Sequence, residues 1–95
     1  MAAFVHVNLK VLDAGAQARL APLFKQALEA AGGRIVHFGP VVESLEGETP
    51  RPMAGIFEFA SVAEAIAFYA SEAYAEIKAM RRVAQDAQMF IVDAG

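Results

Sequence analysis

Phe4-Val5-His6-Val7-Asn8-Leu9-Lys10-Val11 alternates without a break. Val5, Val7, Leu9 and Val11 point one way, and Phe4, His6, Asn8 and Lys10 point the other. A period of two marks a strand with one face in a core. Asp13-Ala14-Gly15 ends the alternation, and from Ala16 the period lengthens. Leu20, Leu23, Phe24, Ala27, Leu28 and Ala31 recur at the spacing of an amphipathic helix. Pro22 has no N–H to donate, so it is expected in the first turn or at a kink. Gly32-Gly33 stops the helix, with one glycine in the left-handed position beyond its end.

The remaining chain repeats this logic. Arg34 to Phe38 reads as a second strand, interrupted at Gly39-Pro40 by a bulge or edge break and resuming over Val41 to Leu45. Glu46 to Pro52 is polar and turn-rich, hence a loop. Met53 to Ala60 is a third strand with Met53, Gly55, Phe57 and Phe59 on one face and Ala54, Ile56 and Glu58 on the other. Ser61-Val62-Ala63-Glu64 is a capping box. It opens a helix through Ala70 that is expected to bury Val62, Ala65, Ile66 and Tyr69. Ser71 caps a second helical segment to about Asp86, with Tyr74, Ile77, Arg81 and Ala84 on one side. Met89 to Val92 is a short last strand.

Strand, helix, strand, strand, helix, strand, joined by right-handed crossovers, predicts an α+β ferredoxin-like fold. It is a four-stranded antiparallel sheet of order 4-1-3-2 with both helices on one face. The other sheet face is left bare, presenting Phe4, His6, Asn8 and Lys10 beside Ile56 and Glu58. That surface is too apolar for solvent and too polar for a core. A second copy of the same face would cover it.

Composition agrees. Ninety-five residues are one domain's worth of chain, so a single domain over residues 1–95 is expected. The chain is 57% hydrophobic, but 21 of those residues are alanine, which suits close helix packing. Chains of this size bury only about two-thirds of their unfolded surface, so a partner adds stability. The net charge of −3 and the isolated basic pair Arg81-Arg82 argue against nucleic acid. No cysteine is present, which excludes disulfides and thiolate metal sites. No apolar run has signal or membrane-spanning length, so a cytoplasmic protein without membrane contact is expected.

From Ala31 onward the sequence resembles the family called domain of unknown function 1330. The residues that carry the resemblance are Gly32-Gly33-Arg34, Leu45-Glu46-Gly47, Ile56-Phe57-Glu58-Phe59 and Ser61-Val62-Ala63-Glu64-Ala65. Phe68-Tyr69, Ser71, Tyr74 with Arg81 seven residues on, and Ile91-Val92-Asp93 complete the ordered set. The resemblance implies the dimeric α+β barrel, in which two sheets face each other, and no particular reaction. The chain departs from the family pattern at His37-Phe38-Gly39-Pro40, where an arginine and a second glycine pair are usual. It departs also at Phe68, where tryptophan is frequent, and at Glu72-Ala73, where Pro-Glu is.

The candidate ligand pocket takes in His6, Asn8, His37, Glu58, Tyr69, Tyr74 and Arg81. His6 beside Glu58 is the pattern of a general base, or equally of a polar cluster that fixes register in an interface. His37 stands at a pocket mouth or is merely exposed on its strand. Tyr74 and Arg81 lie two helical turns apart, able to hold an anionic or carbonyl-bearing ligand, or else to sit as amphipathic side chains at the core's edge. Arg51, between two prolines, is a clamp or a solvated charge. Two histidines without ligand spacing give no metal site, and Gly32-Gly33 is no dinucleotide motif, so no cofactor is expected. Two classes of function follow. One is a homodimer with a small-molecule pocket in each subunit, in the manner of the cofactor-free monooxygenases and isomerases of the dimeric barrel superfamily. The other is a non-catalytic dimeric binding module whose polar residues build the interface.

Overall fold

Seven elements follow one another in the computed structural model, which describes residues 2–95. They are β1 (Ala3–Val11), α1 (Ala14–Ala30), β2 (Arg34–Pro40), β3 (Met53–Phe59), α2 (Val62–Tyr69), α3 (Glu72–Ala84) and β4 (Gln85–Asp93). The four strands form one sheet of order β2-β3-β1-β4 with every neighbouring pair antiparallel. This is the expected βαββαβ ferredoxin-like arrangement, with the second helical region in two pieces broken at Ala70-Ser71. The molecule is only 17 Å deep along its shortest axis. That is one sheet and one layer of helices, with no helix or strand among the described residues on the far side of the sheet.

β1 sits at the centre, pairing with β3 on one edge and β4 on the other. Ala3, Val5, Val7 and Leu9 are buried beneath the helices, and the residues between them are only half-covered. Phe57 and Phe59 of β3 extend this core, which Leu20 and Leu28 of α1, Ala65 and Phe68 of α2, and Tyr74, Ile77 and Ala84 of α3 complete. The chain ends of the sheet meet where the Ala94 N–H donates to the Ala2 carbonyl at 3.0 Å.

Each helix begins on a side-chain cap. Asp13 accepts from the Ala16 N–H, Ser61 from Glu64 and Ser71 from Tyr74. These caps satisfy N–H groups that have no partner inside the helix. α1 ends as expected, with Gly32 at φ +84°, where a Cβ is disfavoured.

Several expectations need correction. α1 starts at Ala14, so Pro22 lies beyond its second turn rather than in the first, and the helix runs on through it. Leu23 and Ala31 are exposed, so the buried stripe of α1 is narrower than its pattern. In α2 the buried pair is Ala65 and Phe68, while Ile66 and Tyr69 stay exposed. The irregularity of β2 falls between Ile35 and His37, not at Gly39-Pro40. Val41 to Leu45 is not strand. After the Val41 N–H bonds the Pro52 carbonyl the chain has no ladder partner, and Val42 and Leu45 are each 89% exposed. β4 is longer than Met89–Val92, because pairing with β1 extends it back to Gln85.

Gly33 is buried where α1 turns into β2. A Cβ there would stand 2.6 Å from Leu28 Cδ1 and 2.9 Å from Phe59 Cε1, two side chains with no room to retreat. Gly33→Ala should therefore lower stability by about 1–3 kcal/mol through overpacking. Gly39→Ala, with nothing within 4 Å, should change it by less than about 0.5 kcal/mol. Urea midpoints of the two variants check both values.

Candidate functional site

Three helices do not cover four strands evenly. Met89 and Ile91 of β4 point to the helical side but stay partly open, because α2 and α3 cover β4 only incompletely. The gap is a cleft of about 880 Å³ between α2, α3 and β4. Its floor and inner wall are apolar, made by Val5, Phe57, Phe59, Phe68, Met89 and Ile91.

α3 supplies the polar groups. Tyr74 is 1% exposed and its ring lies in an aromatic cluster, 4.9 Å from Phe68 and 5.3 Å from Tyr69 between centroids. Two turns on, Arg81 Nη1 donates to the Tyr74 hydroxyl oxygen at 2.5 Å and also reaches the Met89 sulfur. Arg81 Nε donates to Gln85 Oε1 at 3.1 Å, and Gln85 Nε2 donates to Gln17 Oε1 at 2.7 Å. This chain of bonds ties α3 to α1 and separates the large cleft from a smaller cavity of about 140 Å³ between α1, β2 and β3. Lys78 Nζ stands 4.1 Å above the Tyr69 ring, a contact worth roughly 0.5–1 kcal/mol when exposed.

Burial raises the Tyr74 phenol above the ordinary tyrosine value, and the Arg81 guanidinium beside it offsets only part of that. Tyr74 is thus a neutral phenol at physiological pH. Its oxygen accepts from Arg81, and its own proton has no acceptor among the described residues. A guanidinium and a phenolic O–H side by side in an apolar cleft can hold a carboxylate, a carbonyl or a developing oxyanion. No aspartate, glutamate or histidine lines the cleft, so no side chain of those types is at hand there to take a proton.

The sequence-derived candidates therefore divide between two sites. Tyr69, Tyr74 and Arg81 meet in the cleft. His6, Asn8, His37 and Glu58 lie on the opposite face of the sheet and do not converge with them. Nor do His6 and Glu58 form a pair. The His6 ring stacks on Phe90, its neighbour on β4, at 5.1 Å and 6°. Glu58 is held by its cross-strand partner Arg34, whose Nε lies 2.6 Å from Oε1. Asn8 is a clamp. Its Nδ2 donates to the Arg51 and Met53 carbonyls at 3.0 and 2.9 Å, and its Oδ1 accepts from the Arg51 N–H at 2.9 Å. The amide thereby finishes the ladder where the 41–52 loop re-enters the sheet. The Arg51 side chain reaches Asp86 through Nη2 at 3.3 Å, while its Nε is equally near the other carboxylate oxygen without the alignment of a hydrogen bond. His37 pairs across from Ile56, away from the cleft.

Lys78, Arg82 and Gln85 are cleft residues that the sequence reading passed over. Their signal was present: from Tyr74 they fall at i+4, i+8 and i+11, beside Arg81 at i+7. Among the described residues no group of three or more potential metal ligands occurs, and no helix is long and apolar enough to cross a membrane.

With this geometry in hand, comparison with known proteins is specific at the family level. Residues 2–94 match the family described as Domain of unknown function (DUF1330). The chain belongs to this family. The DUF1330 match takes in residues 2–30 as well, ahead of the stretch from Ala31 onward that carries the resemblance. No curated protein matches the chain. Solved structures show the shared fold. A protein of unknown function from Rhodopseudomonas palustris superposes with a TM-score of 0.78 at 19% identity, over 99% of this chain and 82% of that one. A dimeric ferredoxin-like protein of unknown function from a Jannaschia species gives 0.73 at 12%, over 99% and 100%. SnoaB, a cofactor-independent oxygenase from Streptomyces nogalater, gives 0.62 at 12%, over 99% and 92%.

Tyr74→Phe keeps the ring and removes the hydroxyl that Arg81 grips. It should cost about 0.5–1.5 kcal/mol at neutral pH, the value of one such bond. Alkaline titration gives an independent readout. Because the folded phenol titrates above the unfolded one, its contribution is whole below the ordinary tyrosine value of 10.0 and is lost as pH rises through the folded value. The variant should therefore lose less stability than the parent between neutral pH and the alkaline limb, as followed by urea denaturation across that range.

Proposed function

We propose that the protein is a homodimer closed through the open sheet face, each subunit binding one small organic ligand in the cleft over β4. The ligand reading is carried by the Tyr74–Arg81 pair, two polar groups with spare donors set against a floor and inner wall that are apolar and aromatic. Ligand sites have this composition: a concave apolar surface with a few fixed polar groups. The volume also falls in the range that such sites occupy.

The dimer reading rests on the uncovered face. Phe4, Ile56, Phe90 and Val92 lie there beside Lys10, Arg34, Glu58 and Asp86. Apolar groups interspersed with both signs of charge suit a surface that meets a copy of itself. Structural relatives described as dimeric ferredoxin-like proteins support it.

A second reading makes the cleft catalytic, in the manner of the cofactor-independent oxygenase that shares the fold. Arg81 and Tyr74 are placed to stabilise an enolate oxygen, the kind of charge such chemistry must hold. The absence of a carboxylate or imidazole in the lining favours binding over catalysis, since deprotonation needs an acceptor.

Native mass spectrometry of the purified protein should show twice the 10.1 kDa chain mass, with extra mass in one or two small-molecule steps. Ile56→Glu, central on the open face, should give a monomer by light scattering while leaving ligand-induced thermal shifts in place. A parent protein that stays monomeric at micromolar concentration would refute the dimer. The ligand reading fails if no aromatic or lactone compound raises the melting temperature and none copurifies.

A further inference from the structure

α3 turns three positive charges toward the cleft. Lys78, Arg81 and Arg82 are three of the chain's eight lysines and arginines, and all three line this one cavity. Of the eleven aspartates and glutamates, none does. In a chain of net charge −3, the charges are sorted. The last turn of a helix favours cations, because its carbonyl end is partly negative, and this covers Arg81 and Arg82. It does not cover Lys78, a turn earlier, nor the lack of any carboxylate across the cleft.

Arg81 lacks a counter-ion. Its recorded partners, Tyr74, Gln85 and Met89, are all uncharged, and its Nη2 donates to no described group. The ion pairs of the described residues, Arg34–Glu58 and Arg51–Asp86, involve neither Arg81 nor its neighbours Lys78 and Arg82. A half-buried guanidinium with spare donors and no counter-ion is free to take an anionic acceptor that enters the cleft. The nearest other spare donor is the Tyr74 hydroxyl proton, fixed beside it by the Nη1 bond.

We infer that the ligand of this cleft is a small organic anion. Its carboxylate or enolate oxygens meet Arg81 and Tyr74, and its apolar, ring-sized body lies against Phe57, Phe59, Phe68 and Met89. The inference rests on the ligand-cleft reading and adds the charge of the ligand to it. A guanidinium fork matches two oxygens on one carbon, and Lys78 and Arg82 at the rim draw the anion in. The net negative charge of the chain disfavours polyanions.

The test is calorimetric titration of the intact protein at neutral pH with naphthalene-2-carboxylate and its neutral isostere, naphthalene-2-carboxamide. The carboxylate should bind at least about tenfold more tightly, and its advantage should shrink at about 0.5 M salt. Arg81→Gln should abolish the preference. Lys78→Gln with Arg82→Gln, at the more accessible rim, should weaken carboxylate binding and leave the carboxamide unchanged, and this pair decides the matter if the Arg81 variant does not fold. Equal or tighter binding of the carboxamide overturns the inference and leaves the ligand-cleft reading standing. Binding of neither compound also overturns the inference, and the ligand-cleft reading falls with it only if the thermal-shift and copurification tests are negative as well.

Discussion

Because β1 is hydrogen-bonded along both edges, its side-chain alternation sets the two faces of the whole sheet. Ala3, Val5, Val7 and Leu9 turn toward the helices, so Phe57 and Phe59 on β3 and Met89 and Ile91 on β4 must do the same. A slip of one residue in either pairing would bring His6, Asn8 and Lys10 under the helices. The burial of four side chains on one strand therefore determines which residues can reach the cleft and which face a partner.

The same constraint explains what could be read from sequence. β1 and β3 were legible because each alternates cleanly between core and open face. The starts of α2 and α3 were legible because Ser61 and Ser71 are local signals that act within three residues, whereas Asp13, which caps α1 through the Ala16 N–H, read only as a break after β1. The start of β4 was not. Gln85-Asp86-Ala87-Gln88 has little strand character of its own, and it becomes strand only because β1 offers a ladder. Val41 to Leu45 fails in the opposite way. It has strand-forming residues but no edge to pair with, and propensity without a partner does not make a strand.

The candidate site was half legible for a related reason. Spacing along α3 put Tyr74 and Arg81 on one side, and the fold brings them into contact. Spacing cannot say on which side of a sheet a strand residue meets a helix residue from elsewhere in the chain. His6 and Glu58 were chemically plausible companions, yet the sheet stands between them and the cleft. Each has a partner of its own, Phe90 for the one and Arg34 for the other. Family membership gives the fold and leaves the chemistry to these details.

The pairing of Ala3 with Asp93 and the bond from Ala94 to Ala2 bear on how the protein comes into being. Within this domain β1 precedes both of its neighbours in the chain, and β4 is the later of the two. During synthesis one edge of β1 stays unpaired until the chain has been made as far as β4. Contacts of such long sequence separation slow folding and lengthen the time for which a strand can pair with the wrong chain. On the ribosome, then, the sheet of this domain can close only when β4 emerges.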